Sequence, residues 1–332
     1  MRRLLGLEPT AALSERPVPM NSSTRAKDRR SSNRHGPKNT RSAGAVAALM
    51  AVALIVGGCS GGGTTDHPVG AATSSTASAT STAKPVGVIA IGHSGLTGEN
   101  SDPKHPGLVA LENSWATGTS AQVNSIYRRL VAVRPETEGH VANTAEGGAP
   151  ASALAGQAQR ALGTVPTPAL VVVQTIDGDI RCDGTDGEHV AEFGAVLANA
   201  LKVVTMASPN SLILAVGQLG RPSPSFVKEL VAKHPSVKSE LTGTGMCDFY
   251  SPDGVLNEKA FDTLRSIIED YETEQARVCA MVANCRTDGG ARAKYVDRLE
   301  NFSSDWNHLN VRGQAEAAEI AWPAAAALLK LS

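Results

Sequence analysis

From Val86 onward, short continuous apolar segments alternate with longer amphipathic ones, and this alternation constrains the fold more than any other feature of the sequence. The apolar segments predict four β-strands, at residues 86–92, 140–143, 169–175 and 211–217. Most of their residues are apolar, many of them β-branched, which is typical of parallel strands that are covered on both faces. The intervening segments predict helices at residues 120–133, 152–162, 188–206 and 225–233.

Two further helices are predicted at residues 257–282 and 312–331, and a fifth strand near residues 295–299. Strands that alternate with helices along a chain form a parallel sheet with helices on both sides. We therefore predict an α/β fold, a three-layer α/β/α sandwich with a central parallel sheet. This domain is expected to span residues 86–332.

The first 58 residues differ from this domain in charge. They hold ten of the 31 Lys and Arg residues but only three of the 32 acidic residues, and they end in an apolar run that begins at Ser42. A basic region followed by about 14 apolar residues is typical of a secretory signal peptide, since a membrane-spanning helix needs roughly 20. Met20 is an alternative start within this segment.

The sequence Val-Gly-Gly-Cys at residues 56–59 resembles a bacterial lipobox, in which the cysteine receives a diacylglycerol. We predict that Cys59 is lipidated and that residues 59–85, almost all Gly, Ser, Thr and Ala, form a flexible linker. The domain would then be anchored by lipid at the outer face of the cell membrane. The alternative is an ordinary signal peptide followed by an unmodified cysteine.

The charge of the remaining chain argues against a nucleic-acid partner. From Cys59 onward 21 basic residues stand against 29 acidic ones, whereas binding to phosphates needs clustered Lys and Arg. The single short apolar run also excludes a multi-pass membrane protein.

Four cysteines remain in the predicted domain: Cys182, Cys247, Cys279 and Cys285. Outside the cytoplasm an even number favours disulfides, with three possible connectivities. The spacing of six favours a local pair between Cys279 and Cys285, which would leave Cys182 with Cys247. A zinc site is the alternative, but no Cys-x-x-Cys pair and no neighbouring His at ligand spacing supports it.

Residues that directly follow parallel strands meet at the edge of the sheet where ligands bind. Ser94 follows the first predicted strand, and Asp305 and His308 lie three positions apart on a loop before the last helix. A serine hydroxyl becomes a nucleophile when a histidine takes its proton and a carboxylate orients that histidine. The three residues therefore predict a catalytic triad.

Four short blocks together resemble the SGNH, or GDSL-like, hydrolase family in its lipoprotein form: residues 92–94, 143–148, 177–179 and 305–308. The resemblance implies a flavodoxin-like α/β/α domain that hydrolyses carboxylic esters, acyl or acetyl esters of lipid or glycan, through an acyl-enzyme. It implies Ser94 as nucleophile, His308 as general base and Asp305 as its orienting residue. It also implies an oxyanion hole at Ser94, Gly148 and Gly178, and it requires no metal or organic cofactor.

Two positions depart from the family pattern. His93 stands where the family has an aspartate, and Gly178 stands where it has an asparagine that donates to the oxyanion. Losing one such donor typically lowers turnover by about 10²–10³. The sequence offers three substitute donors, Asn113, Asn143 and Asn307. The alternative function is a catalytically impaired lipoprotein that binds a glycan or lipid.

Two other interpretations fit less well. An α/β-hydrolase nucleophile elbow needs a glycine two residues after the serine, where this chain has Leu96. Five acidic residues between 177 and 188 suggest a calcium loop, but Arg181 and Cys182 interrupt the EF-hand pattern. We expect a solvated acidic loop tied down by Cys182. Trp115 and Trp306 are candidate walls of the crevice.

Overall fold

The computed structural model describes residues 84–331. The predicted signal peptide, Cys59 and residues 59–83 of the predicted linker lie outside the described residues. The strands are β1 (Val88–Gly92), β2 (Val141–Asn143), β3 (Leu170–Gln174), β4 (Leu212–Val216) and β5 (Cys285–Thr287). The helices are α1 (Ile126–Val133), α2 (Leu154–Thr164), α3 (Asp186–Ala207), α4 (Pro224–Lys233), α5 (Glu258–Ala280) and α6 (Val311–Leu328).

The five strands form one sheet in the order β2-β1-β3-β4-β5, and every neighbouring pair is parallel. The registers pair Ile89 with Val171 and Val171 with Ile213 across the middle of the sheet. All carboxyl ends therefore lie at one edge, which is where the loops after β1, β3 and β4 meet.

Both faces of the sheet are covered, because successive strand residues point to opposite sides. Ile89 and Ile91 pack into one core with α2, α3, α4 and α5, whereas Val88 and Ala90 pack into a second core with α1 and α6. This burial on both faces explains why the central strands read as continuous apolar runs. The predicted three-layer α/β/α sandwich is confirmed.

The prediction of a fifth strand near residues 295–299 was wrong. The fifth strand is β5, which pairs with β4 at the edge of the sheet, and only Cys285 of its three residues is buried. Residues 295–299 run through a loop into a one-turn helix, Leu299–Asn301. Tyr295 and Leu299 are buried in the core although they belong to no strand. Their burial explains the apolar pattern that suggested a strand there.

Two disulfides join Cys182 to Cys247 and Cys279 to Cys285, with Cα–Cα distances of 5.8 and 5.2 Å. The predicted pairing is confirmed, and it leaves none of these four thiols for the zinc alternative. The second disulfide joins the end of α5 to β5, and the first joins the loop after β3 to the segment before α5.

Candidate functional site

A cavity of about 180 Å³ opens at the carboxyl edge of the sheet. Its walls come from the residues after β1, β3 and β4, from α4 and α5, and from the loop before α6. Ser94 and His308 both line it, and Trp306 and Asn307 lie beside His308. The carboxyl edge of the sheet, where the sequence predicts a ligand site, thus holds both Ser94 and His308.

Ser94 is held at this edge by a sharp turn after β1. Gly92 has a φ of +148°, and a Cβ there would lie 1.7 Å from the carbonyl oxygen of Gln174, so the turn requires glycine. Ser94 begins a one-turn helix that His93 caps, since Nδ1 of His93 accepts the Gly95 N–H at 3.1 Å. Ser94 is 7% exposed.

Asp305 and His308 form a closely connected pair. Nδ1 of His308 lies 2.7 Å from Oδ2 of Asp305, and Oδ1 of Asp305 accepts the backbone N–H groups of Asn307 and His308 at 3.1 and 3.0 Å. Burial opposes ionisation of Asp305, but these hydrogen bonds outweigh it and lower the pKa of Asp305 to about 2. The carboxylate is therefore ionised and holds the Nδ1 proton of the imidazole, which leaves the lone pair at Nε2.

Asn100 completes this pair and was missed by sequence reasoning. Its Nδ2 donates to Oδ2 of Asp305, and its Oδ1 accepts the Gly107 N–H. Asn100 itself adopts a φ of +59°, a left-handed conformation that asparagine tolerates better than most residues. Only a local turn signal marked it, and nothing in the sequence connected that turn to Asp305.

Ser94 and His308 share the cavity without a hydrogen bond between them. The Ser94 hydroxyl donates no hydrogen bond within residues 84–331, and the buried Nε2 of His308 has no hydrogen-bond partner there. Oε2 of Glu99 lies 3.8 Å from that Nε2. Catalytic hydrogen bonds are often long or unformed before substrate binds.

Burial alone would lower the pKa of His308, but the hydrogen bond and charge of Asp305, together with the carboxylates of Glu99 and Asp177, raise it above its ordinary value. The imidazolium is thus favoured over the neutral base until the pH exceeds that pKa. Any proton transfer from Ser94 to His308 therefore has an acid limit.

The three predicted oxyanion donors do not all lie at the cavity. The backbone N–H groups of Ser94, Gly148 and Gly178 donate no hydrogen bond within the described part of the chain. Only Ser94 among them lines the cavity. A Cβ at Gly178 would lie 2.4 Å from the carbonyl oxygen of Ala149, so this position has no room for the asparagine that the family pattern expects.

Of the three asparagines considered as substitute donors, two are already engaged. Nδ2 of Asn113 donates to Oγ of Ser101 at 3.1 Å, and Nδ2 of Asn143 donates to the Leu96 carbonyl at 2.8 Å. The side-chain amide of Asn307 forms no hydrogen bond within residues 84–331, and Asn307 lines the cavity with Ser94. Asn307 is thus the one of the three with an amide available to a ligand.

The polar end of the cavity, defined by His93, Asp177, Gln218 and Arg292, was largely missed by sequence reasoning. Nε2 of His93 lies 3.6 Å from Oδ2 of Asp177. Burial lowers the pKa of His93 and raises that of Asp177, so both side chains are shifted toward their neutral forms. Arg292 and Gln218 come from loops after β5 and β4, where no sequence motif marked them.

The apolar end of the cavity lies between α4 and α5. Trp306 has a φ of +55° and its ring stacks against His234 at 4.1 Å between centroids. Trp115 is instead fully buried, and its Nε1 donates to the Gly95 carbonyl at 3.0 Å, next to the turn that holds Ser94. The other apolar lining residues include Phe226, Val227, Leu230, Leu241, Phe249, Leu264 and Ile268.

The acidic loop after β3 is solvated only in part: Asp183 and Glu188 are exposed, as expected, whereas Asp186 is buried. Both carboxylate oxygens of Asp186 accept backbone N–H groups, from Arg181 and Cys182, at 2.8 Å each. Asp179 accepts the Ala151 N–H at 2.9 Å, and burial raises the pKa of Asp179 to about 6. Within residues 84–331 no group of three or more His, Cys, Asp or Glu side chains is placed to hold a metal ion.

The fold and the site together define a three-layer α/β/α protein in which Ser94 and His308 line one cavity at the carboxyl edge of the sheet, and Asp305 binds His308. No protein-family model and no curated protein matches the chain. Several solved structures do match it.

A structure of TesA has 15% identity and a TM-score of 0.40, over 73% of this chain and 99% of TesA. An extracellular lipase from Streptomyces rimosus has 14% identity and a TM-score of 0.44, over 72% and 99%. A phospholipase A1 from Streptomyces albidoflavus NA297 has 10% identity and a TM-score of 0.45, over 73% and 99%. At these identities the likeness concerns the fold alone.

Proposed function

We propose that this chain is a serine hydrolase of carboxylic esters. The observation that carries the proposal is the state of His308, whose Nδ1 is held by ionised Asp305 while its buried Nε2 lacks a partner in the cavity that Ser94 lines. A histidine in this state can accept a proton at Nε2. The Ser94 hydroxyl is the nucleophile that the same cavity offers.

In the proposed reaction, Oγ of Ser94 attacks the ester carbonyl carbon and its proton passes to Nε2 of His308. The C–O bond to the alcohol breaks, and the imidazolium returns the proton to the departing alkoxide. Water then attacks the acyl-enzyme and gives its proton to His308. The bond between the acyl carbon and Oγ of Ser94 breaks, the imidazolium returns the proton to that Oγ, and the acid is released. The backbone N–H of Ser94 and the amide of Asn307 are the proposed oxyanion donors.

The apolar end of the cavity favours an acyl chain as the group next to the ester carbonyl. Side chains of α4 and α5, among them Phe226, Leu230 and Ile268, supply its walls. Apolar walls with a few polar groups at one end are typical of small-molecule sites. We therefore favour acyl esters of lipid or glycan over acetyl esters.

We also propose that the enzyme is exported and anchored by a lipid at Cys59 on the outer face of the cell membrane. The basic and apolar N-terminal segments and the lipobox-like sequence support this proposal. The disulfides Cys182–Cys247 and Cys279–Cys285 support it independently, since such bonds persist in oxidising compartments. Mass spectrometry of the membrane fraction, comparing the parent with Cys59→Ser, tests the lipid.

A fluorophosphonate probe tests the nucleophile without a known substrate. The parent chain should be labelled and should hydrolyse p-nitrophenyl esters, and Ser94→Ala should lose both properties, with turnover falling by a factor on the order of 10⁶. Ser223→Ala, which removes another serine of the cavity wall, should still be labelled. Labelling of Ser94→Ala would contradict the assignment.

A catalytically impaired protein that binds a glycan or lipid is the second candidate. The observation that favours it is Gly178, which offers no side-chain donor and packs against Ala149. This candidate predicts no labelling of the parent and no turnover, together with saturable binding of a fatty acid or an oligosaccharide.

A further inference from the structure

Unpartnered buried polar atoms are concentrated in the cavity. Seven buried side-chain nitrogen or oxygen atoms in residues 84–331 lack a hydrogen-bond partner, and four of them belong to cavity residues. One is Nε2 of His308, which the proposed reaction uses. The other three are Nε2 of His93, Oε1 of Gln218 and Nη1 of Arg292, all at the polar end. Buried polar groups in folded proteins are nearly always hydrogen-bonded, so the two donors among these atoms, Nε2 of His93 and Nη1 of Arg292, point to a ligand with acceptor oxygens.

Arg292 is the most unusual of these residues. It is 1% exposed, its guanidinium lies 4.4 Å from the centroid of the Trp115 ring, and Nε donates to the Gly217 carbonyl at 3.1 Å. It forms no salt bridge within the described residues, and Asp288 accepts only its backbone N–H. Burial lowers the pKa of Arg292 only to about 10, so the side chain remains a cation at neutral pH. The carboxylates of Asp288, Asp177 and Glu272 act on this cation electrostatically, but none of them forms an ion pair with its guanidinium. A buried cation without a direct ion pair is costly.

His93 supplies a second donor at the same end. Its Nδ1 accepts the Gly95 N–H, so in the neutral imidazole the proton must reside on Nε2. That N–H points toward Asp177 but lies 3.6 Å from the nearest carboxylate oxygen, too far for a hydrogen bond. The polar end therefore combines a cationic donor and a neutral donor, both without acceptors.

We propose that the polar end of the cavity is a binding subsite for an anionic oxygen group of the substrate, a carboxylate or a phosphate, held by Arg292 and His93. The predicted preference for anionic ester substrates rests on the proposed esterase function. The predicted binding of an anion rests only on the unpartnered donors. An ester substrate would then place its acyl chain at the apolar end and its anionic group against the guanidinium.

The acidic groups at this end set the pH dependence of such binding. Asp177 faces His93, Arg292 and His308, Asp288 and Glu272 also act on Arg292, and Asp297 lines the cavity. Burial raises the pKa of Asp177 and raises that of Asp297 to about 7. An anion binds best while both acids are protonated, so affinity should fall as the pH rises through these pKa values. Arg221 also lines the cavity, but it pairs with Glu272 and is less available.

Calorimetric titration of the full-length chain with inorganic phosphate tests the subsite. Arg292→Met should weaken phosphate binding by about tenfold to a hundredfold, the usual range for a hydrogen bond to a charged group. Arg277→Met removes an exposed arginine that pairs with Glu274 on α5, away from the cavity lining, and it should leave the affinity unchanged. An absence of phosphate binding by the parent, or equal weakening by both variants, would overturn the proposal.

Asp177→Asn keeps the test decisive if Arg292→Met does not fold. It removes a negative charge without removing either donor, so phosphate should bind more tightly and with a flatter pH dependence than in the parent. Weaker binding by Asp177→Asn, or an unchanged pH dependence, would count against the subsite.

Two substrate pairs distinguish the source of the anion. The p-nitrophenyl monoester of adipic acid compared with p-nitrophenyl hexanoate tests a carboxylate on the acyl chain. The hexanoyl ester of glycerol 3-phosphate compared with hexanoylglycerol tests a phosphate on the alcohol. In one of the two pairs the anionic ester should have a higher kcat/KM than its neutral counterpart, and Arg292→Lys should reduce the ratio of the two values. If neutral members are preferred in both pairs although the parent turns over, the subsite is wrong while the esterase proposal stands.

Discussion

Two polar regions of the cavity differ in how completely their groups are satisfied within residues 84–331. At the proposed catalytic end, where Ser94 and His308 lie, Asp305 accepts hydrogen bonds from Asn100, Asn307 and His308, so the carboxylate and the imidazole are held before any ligand arrives. At the polar end, His93 and Arg292 each present a buried donor with no acceptor in those residues. The first arrangement suits the proposed proton transfer, and the second suits the proposed anionic ligand.

This contrast separates two kinds of contribution to function. A group that is held rigidly by its neighbours affects the rate of the chemical step, because its orientation is fixed before the transition state forms. A group that waits for a ligand affects binding and substrate preference. Substitutions at the catalytic end should therefore change kcat more than KM, and those at the polar end should do the reverse for an anionic substrate.

The largest effect is expected for Asp305→Asn. The neutral amide cannot hold the Nδ1 proton of His308 as the carboxylate does, so kcat for a neutral p-nitrophenyl ester should fall by about 10⁴. Thermal unfolding of the variant, measured in parallel, separates this loss from misfolding. A folded variant with nearly parental kcat would show that the Asp305–His308 pair is structural.

A smaller loss is expected for Asn307→Ala. If the Asn307 amide donates to the oxyanion, its removal should lower kcat by about 10²–10³ and leave KM nearly unchanged. Steady-state kinetics with one neutral ester is sufficient. An unchanged kcat would limit the oxyanion donors to backbone N–H groups.

Asn100→Ala should have a positioning effect. Without the Nδ2 donor the Asp305 carboxylate is held less rigidly against His308. Small misplacements of catalytic groups lower the rate, so kcat should fall by about tenfold to a hundredfold. Asn100→Gly is the matched control, because glycine accepts the φ of +59° but also lacks the amide. If Asn100→Gly retains parental activity while Asn100→Ala does not, the backbone conformation rather than the hydrogen bond is responsible.

The smallest effect is expected for Glu99→Gln. The Glu99 carboxylate lies 3.8 Å from Nε2 of His308 and helps to raise the pKa of that imidazole. Its removal disfavours the imidazolium, so the acid limb of kcat/KM against pH should move to lower pH by up to about one unit. A limb that moves to higher pH, or does not move, would show that Glu99 does not face His308 in the active enzyme.

The sequence predicted the central strands because each of them is covered on both faces and therefore consists mainly of apolar residues. It misplaced the fifth strand because β5 is a three-residue edge strand with only Cys285 buried, which leaves almost no pattern to read. Asp305 and His308 were accessible to sequence reasoning, since both lie on one short loop. Asn100 was not, because 205 positions separate it from the carboxylate that it contacts.

By itself the sequence determined the layered α/β architecture and favoured the two disulfide pairs, and it predicted Ser94, Asp305 and His308 as candidate catalytic residues. Periodicity, cysteine spacing and short motifs are local properties, and they suffice for these predictions. Only the tertiary structure decided that Gly178 packs against Ala149, that the Asn307 amide has no hydrogen bond within residues 84–331, and that Arg292 is buried beside Trp115 with no direct ion pair there. Those facts depend on which distant loops meet at the carboxyl edge of the sheet, and no local pattern encodes that meeting.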